Sequence, residues 1–179
     1  VPFAELDLNV RQNPQDEAAL DLAFHLTNVQ PSPDIAPLSL IFQGTLSEGA
    51  ALLAGKPDLT LRTLARDGLE LTVDSAGIET VAVALSAGGL ISIGPDGQLN
   101  GTLDIALAGD GADLPLDGFV APDEKKTILT LIDNALAFAP PTSIGERKAR
   151  KLTLTIRNGQ VLAGFVPLFK IPPVSLARL

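Results

Sequence analysis

Residues 81–107 read VAVALSAGGLISIGPDGQLNGTLDIAL. On the way out Val81, Val83, Leu85, Ala87, Ile91 and Ile93 hold the odd positions, and on the way back Leu99, Leu103, Ile105 and Leu107 do. Ser86, Ser92, Asn100, Thr102 and Asp104 take the even ones. A period of two means a strand pair with one face in a core and the other in water. The loop sets the register. A two-residue Asp96-Gly97 turn would put Ile93 opposite Asn100 and mix the faces. A three-residue loop, Pro95-Asp96-Gly97, puts Ile93 opposite Leu99, Ile91 opposite Gly101 and Leu85 opposite Leu107. A type I turn closed by a left-handed glycine makes that loop. One residue of slip would turn the apolar set to water, so the three-residue loop is the expected one. Gly88-Gly89 falls mid-strand opposite Leu103, and glycine there marks a bend, a bulge or a close backbone approach. We read it as the place where the sheet curls.

The same alternation runs through the N-terminal region. Ala4, Leu6, Leu8 and Val10 form one strand, and Ala18, Leu20, Leu22, Phe24 and Leu26 the next. Pairing Val10 with Ala18 brings Leu8 to Leu20 and Leu6 to Leu22. Leu38, Leu40, Phe42 and Leu46 make a third strand, interrupted by Gly44. The region reads as an antiparallel meander, apolar on one side. Pro57 and Asp58 open a short helix ended by Asp67-Gly68. Leu69, Leu71 and Val73 then lead through a turn near residues 74–77 into the main hairpin.

Pro122 suits the first turn of a helix, and Asp123 and Glu124 suit its positive end. Ile128, Leu131, Ile132, Ala135, Leu136 and Ala139 follow at three- and four-residue steps, and Pro140-Pro141 stops the pattern. A second hairpin follows, Leu152, Leu154 and Ile156 against Val161, Ala163 and Phe165, turned by Asn158-Gly159. Residues 165–174 are apolar and carry Pro167 and Pro172-Pro173, so they should run extended and either cap the open end of the sheet, the favoured reading, or line the mouth of a cavity.

Composition bounds the function. The chain has 179 residues, enough for one domain with a real core. Seven Phe are its only aromatics, so that core is aliphatic. The net charge of −8 argues against nucleic acid as a partner. With no Cys, disulfides and thiolate metal sites are excluded. There is no Met either, and the sequence starts inside a strand, so a signal peptide or membrane anchor is expected upstream. No apolar run approaches the roughly 18–20 residues that span a bilayer.

Three stretches resemble a known family. One is Asp67-Gly68 and its strand, followed by Gly89-Leu90-Ile91-Ser92-Ile93 and Gly97-Gln98-Leu99-Asn100-Gly101-Thr102-Leu103. Another is the helix at 123–139. The last is Leu152-Thr153-Leu154-Thr155-Ile156-Arg157-Asn158-Gly159 with Gly164-Phe165-Val166-Pro167-Leu168 and Ile171-Pro172-Pro173. Together they look like the C-terminal part of the DUF2125 family, alphaproteobacterial envelope proteins of unknown function. The family brings no catalytic motif. The resemblance implies a periplasmic location, tethered to the inner membrane by an N-terminal segment. The glycine–leucine spacing of the hairpin is also similar in style to AsmA-like envelope proteins, which are linked to lipid traffic.

Few residues offer chemistry. His25 is the sole histidine, on the polar face beside Asp21 and Thr27, a solvated position with no triad or zinc partners nearby. Asp110, Asp113 and Asp117 do not have the spacing of a calcium loop. The basic residues Arg147, Lys148, Arg150 and Lys151 are the best polar candidates: a solvated stretch of strand, or a contact to phospholipid headgroups or an acidic partner. The expectation is an α+β domain in which a long, curved, mostly antiparallel half-barrel wraps one amphipathic helix, with a short helix beside it. The expected function is non-enzymatic, without cofactor or metal. An acyl chain or other hydrophobic ligand would be shielded on the concave face by Leu85, Ile91, Leu103, Ile105, Ile128, Leu131, Leu136 and Phe165. The alternative is a solid-core scaffold that holds an envelope protein partner.

Overall fold

Strand alternation dominates the chain, and the computed structural model resolves it into a meander. It describes residues 4–30, 36–53, 63, 68–114 and 122–174. The strands are β1 (Glu5–Gln12), β2 (Leu20–Val29), β3 (Leu38–Leu46), β4 (Leu69–Glu79), β5 (Ala84–Ile93) and β6 (Leu99–Ala108), then β7 (Pro141–Ile144), β8 (Arg147–Arg157), β9 (Gln160–Ala163) and β10 (Val166–Lys170). They form one ten-stranded antiparallel sheet in the order β1-β2-β3-β4-β5-β6-β8-β9-β10. The short β7 shares the outer edge of β8 with β9. The sheet is curved and does not close into a barrel. The short helix expected after Pro57 lies outside the described residues, apart from Thr63.

The central hairpin has the register its loop predicts. Ile93 faces Leu99, Ile91 faces Gly101, Gly89 faces Leu103 and Leu85 faces Leu107. The Gly94 N–H bonds the Gln98 carbonyl at 2.9 Å, and Gly97 has a φ of +77°. Gly89 and Gly101 carry φ values of +145° and +149°, extended backbone open in practice only to glycine. A Cβ on Gly89 would lie 2.2 Å from the Thr102 carbonyl oxygen, and one on Gly101 2.1 Å from that of Leu90. The two strands approach each other through these bare positions.

Two expected connections differ. β4 runs straight through residues 74–77, where a turn was expected. Val73 pairs with Gly89 and Ala76 with Ala87, so Asp74 and Ser75 bulge opposite Gly88. The reversal comes later, at residues 80–83, where the Thr80 hydroxyl accepts the Ala82 and Val83 N–H groups. That side-chain turn is the physical reason for the shift. Val81 is therefore a turn residue, 90 % exposed, while Val83 is fully buried. In the first hairpin Val10 faces Leu22, Leu8 faces Phe24 and Leu6 faces Leu26, not Ala18, Leu20 and Leu22. Residues 13–19 close a loop on themselves instead. Asn13 Oδ1 accepts the Gln15 and Asp16 N–H groups, and Asp16 Oδ1 accepts that of Ala18. An even displacement leaves the facing of every side chain unchanged.

The core is gathered at two ends of the apolar face. Leu20, Leu46 and Leu69 form one cluster, with Leu52 from the 3-10 turn Gly49–Leu52 against it. Val83, Leu107 and Leu114 form the other. The helix Pro122–Ala137 packs Leu129, Ile132 and Leu136 onto this second cluster. On the opposite face, Ala84, Ala108 and Ala149 let β7 approach through Ile144. The asparagine-glycine hairpin is as expected, with Ile156 facing Val161 and Leu154 facing Ala163. β9 stops there, however, so Phe165 is not part of it.

Candidate functional site

Cross-strand pairing turns the alternation into rows. One runs Val10, Leu22, Gly44, Val73, Gly89, Leu103, Leu154 and Ala163. The next runs Leu8, Phe24, Phe42, Ala76, Ala87, Ile105 and Leu152. Residues on one row share one face, so this face is apolar from β1 to β9. Its middle carries the small residues Gly44, Ala76, Ala87 and Gly89 around the buried Val73, with larger ones on either side. Phe24 and Phe42 stack there, ring centroids 5.5 Å apart. Both end clusters are buried, whereas Leu103, Ile105, Phe24 and Phe42 remain half-buried. Leu6, Leu8 and Val10 are 48 %, 69 % and 42 % exposed.

Of the residues expected to line a ligand site, Leu85, Ile91, Leu103 and Ile105 lie together on this face, all half-buried. Leu136 joins Leu85 in the cluster beneath the helix. Leu131 is half-buried, and the residues that meet the sheet are Leu129, Ile132 and Leu136 instead. The Ile128 side chain lies outside the described residues. Phe165 stands in the turn between β9 and β10, fully exposed and away from this face, because Gly164 at φ +60° ends the strand before it.

Three of the four basic residues make contacts within the fold, although only Arg147 is half-buried. Arg147 is half-buried and donates from Nη1 to the Thr80 carbonyl at 3.2 Å and from Nη2 to the Thr80 and Val81 carbonyls at 3.2 and 3.0 Å. It clamps the turn between β4 and β5. Arg150 donates to the Ala139 carbonyl at 2.8 Å, just past the helix. Lys151 pairs with Asp104 at 2.8 Å, and Thr153 donates to the same carboxylate at 2.6 Å. These two bonds hold the Asp104 carboxyl below its ordinary pKa. Lys148 is exposed. A headgroup or partner contact through all four thus competes with contacts that three of them already make. Nothing in the sequence signalled these partners, since Arg147 and Thr80 are 67 residues apart.

Two open clefts lie elsewhere. One, of about 480 Å³, sits where the helix meets the sheet, lined by Leu107, Gly109, Asp110, Gly111, Asp133, Leu136, Ala137 and Arg150. The other, of about 580 Å³, is on the opposite face at the bulge, between Thr72, Asp74, Gly88, Leu90, Thr102 and Asp104. The mid-strand glycines were its only sequence signal. His25 is exposed on β2, with Asp7 and Ile41 as its cross-strand neighbours. Asp110 caps the 3-10 turn Gly111–Asp113 by accepting the Ala112 N–H, and Asp117 lies outside the described residues. Among the described residues no three His, Asp or Glu side chains are grouped to hold a metal ion. No helix among them is long and apolar enough to cross a membrane.

No curated protein and no solved structure matches the chain. One family model does, described as an uncharacterized protein conserved in bacteria, DUF2125, and it spans residues 2–172. The match thus takes in the first meander as well as the stretches that carried the resemblance. By that coverage the chain belongs to the DUF2125 family.

Proposed function

We propose that the protein is a non-enzymatic envelope protein that shields an acyl chain along the apolar face of its sheet. One observation carries this: the face stays apolar across the sheet while Phe24, Phe42, Leu103 and Ile105 on it are left half-buried, beside a buried Val73. A solid-core protein covers such a surface completely, because each large side chain left half in water forgoes part of its roughly 1.5–3 kcal/mol of burial. The small residues Gly44, Ala76, Ala87 and Gly89 around Val73 leave the middle of the face lower than its flanks. An alkyl chain there would lie on methyl and methylene groups, with no polar group to desolvate. In this reading the sheet wraps its face around the ligand and, at one end, around the helix. The periplasm, with an inner-membrane tether, is the location that suits such a cargo.

The test is native mass spectrometry of the purified chain, with organic extraction of what it carries. A discrete added mass in the lipid range, lost from a folded Leu103→Asp variant, is the expected result. A clean apo mass, or full retention in the variant, would refute the reading. A scaffold role is the second reading, favoured by the edge strand β1.

A further inference from the structure

Among the described residues β1 is an edge strand of the sheet, and its charges are Glu5, Asp7 and Arg11. All eight of its residues are exposed, and it contains no Pro and no Lys. Natural edges are normally blunted by such residues, by bulges or by short length. Here the ladder to β2 is regular from Glu5 to Gln12. The Asn13 N–H bonds the Ala19 carbonyl, in line with that ladder. By antiparallel alternation, the odd residues of β1 then point their amides at β2. The even residues, Leu6, Leu8 and Val10, point theirs outward.

The strand is also complementary to itself. We propose that two copies of this chain pair antiparallel through β1, with Leu8 on the two-fold axis. Leu8 then faces the partner's Leu8, and Leu6 faces the partner's Val10. On the other face Glu5 meets the partner's Arg11, twice by symmetry, and Asp7 meets the partner's Asn9. Neighbouring registers with matched faces are worse. Moving the axis to Asp7 sets two carboxylates opposite each other, and moving it to Asn9 sets Leu6 against Gln12. Arg11 uses its Nε for Asp21 at 3.2 Å, and its side chain is 66 % exposed, so its terminal nitrogens can reach across. Opposite charges directly across a strand pair favour pairing, and like charges oppose it. The two-fold arrangement is the usual one for soluble homodimers. It continues the apolar face from one sheet into the next, setting Leu6, Leu8 and Val10 beside the partner's own.

The chain has no cysteine, which makes the test clean. Sedimentation equilibrium of the native chain at about 100 μM should show twice the mass of 18.6 kDa. Leu8→Cys should be joined into a covalent dimer by a short bis-maleimide, because directly opposed, hydrogen-bonded residues have Cα atoms about 5.5 Å apart. Glu5→Arg and Arg11→Glu should each weaken self-association at least tenfold. Mixing those two variants should restore association as a heterodimer, with both cross-pairs again opposite in charge. Restoration on mixing cannot come from misfolding of either variant. A monomer at that concentration overturns the proposal. So does a dimer that Leu8→Cys fails to link, or one indifferent to both charge changes, since it would use another surface or a different register.

Discussion

Gly101→Ala should be among the most damaging single-methyl changes in the sheet. Gly101 has a φ of +149°, and an added Cβ would sit 2.1 Å from the Leu90 carbonyl oxygen and 3.0 Å from the Ile91 Cα. Both obstacles are backbone of a paired strand, so neither can swing aside. The conformation alone costs an alanine about 1–3 kcal/mol. Relieving the contact means parting β5 from β6, which strains further ladder bonds, so a total of about 3–4 kcal/mol is expected. At about 2–4 °C per kcal/mol for a chain of this size, the midpoint should fall by about 6–16 °C. Gly145→Ala is the control: its φ is +56°, but nothing lies within 4 Å of the added methyl. It should cost only about 1–2 kcal/mol. Thermal unfolding followed by circular dichroism measures both. If Gly101→Ala loses no more than Gly145→Ala, the close approach of the two strands is not what the backbone geometry indicates, and the reasoning fails.

Arg147→Lys should lose about 1–2 kcal/mol, because an ammonium cannot reproduce the fork that grips the Thr80 and Val81 carbonyls. Denaturant unfolding checks this, with Lys148→Ala, at an exposed neighbour, expected to change stability by less than about 0.5 kcal/mol. Asp104 is held below its ordinary pKa by Lys151 and Thr153, so its contribution to stability is full above the unfolded value of roughly 3.9 and is lost as pH falls through the folded one. Asp104→Asn should therefore remove part of the loss in midpoint seen on moving from pH 5 to pH 2. An identical acid slope in the variant would rule out that role.

The central hairpin was legible because three constraints agreed: alternation on both strands, a loop with Pro95, Asp96 and Gly97, and the need to keep one face dry. Asn158-Gly159 was read from the turn alone. The first hairpin shows the limit. Its facing was readable, since any even displacement preserves it, but the register depended on Asn13 and Asp16 folding the loop back on itself. The Asp74-Ser75 bulge looked like a turn because turn and bulge use the same small polar residues. The apolar row at the candidate site followed from periodicity. What did not follow was which part of that row the helix leaves open, or that Arg147, Arg150 and Lys151 find partners within the fold. Those contacts join distant segments and have no local pattern.

The order of the sheet has a consequence for how the chain comes into being. From β1 to β6, every strand pairs with the one made just before it. A chain emerging from a ribosome or a translocation pore could therefore lay down this sheet strand by strand, each new segment finding its template already in place. Later segments return to earlier ones: β8 pairs with β6, Arg147 grips the turn at Thr80, and the last described residues do the same. There the Ile171 N–H bonds the Gly159 carbonyl and the Val174 N–H bonds that of Gly97. These bonds draw the last described residues back across the tips of two finished hairpins. The tail is thus a closing stitch, and shortening it should leave the strands in place while freeing the ends they turn on.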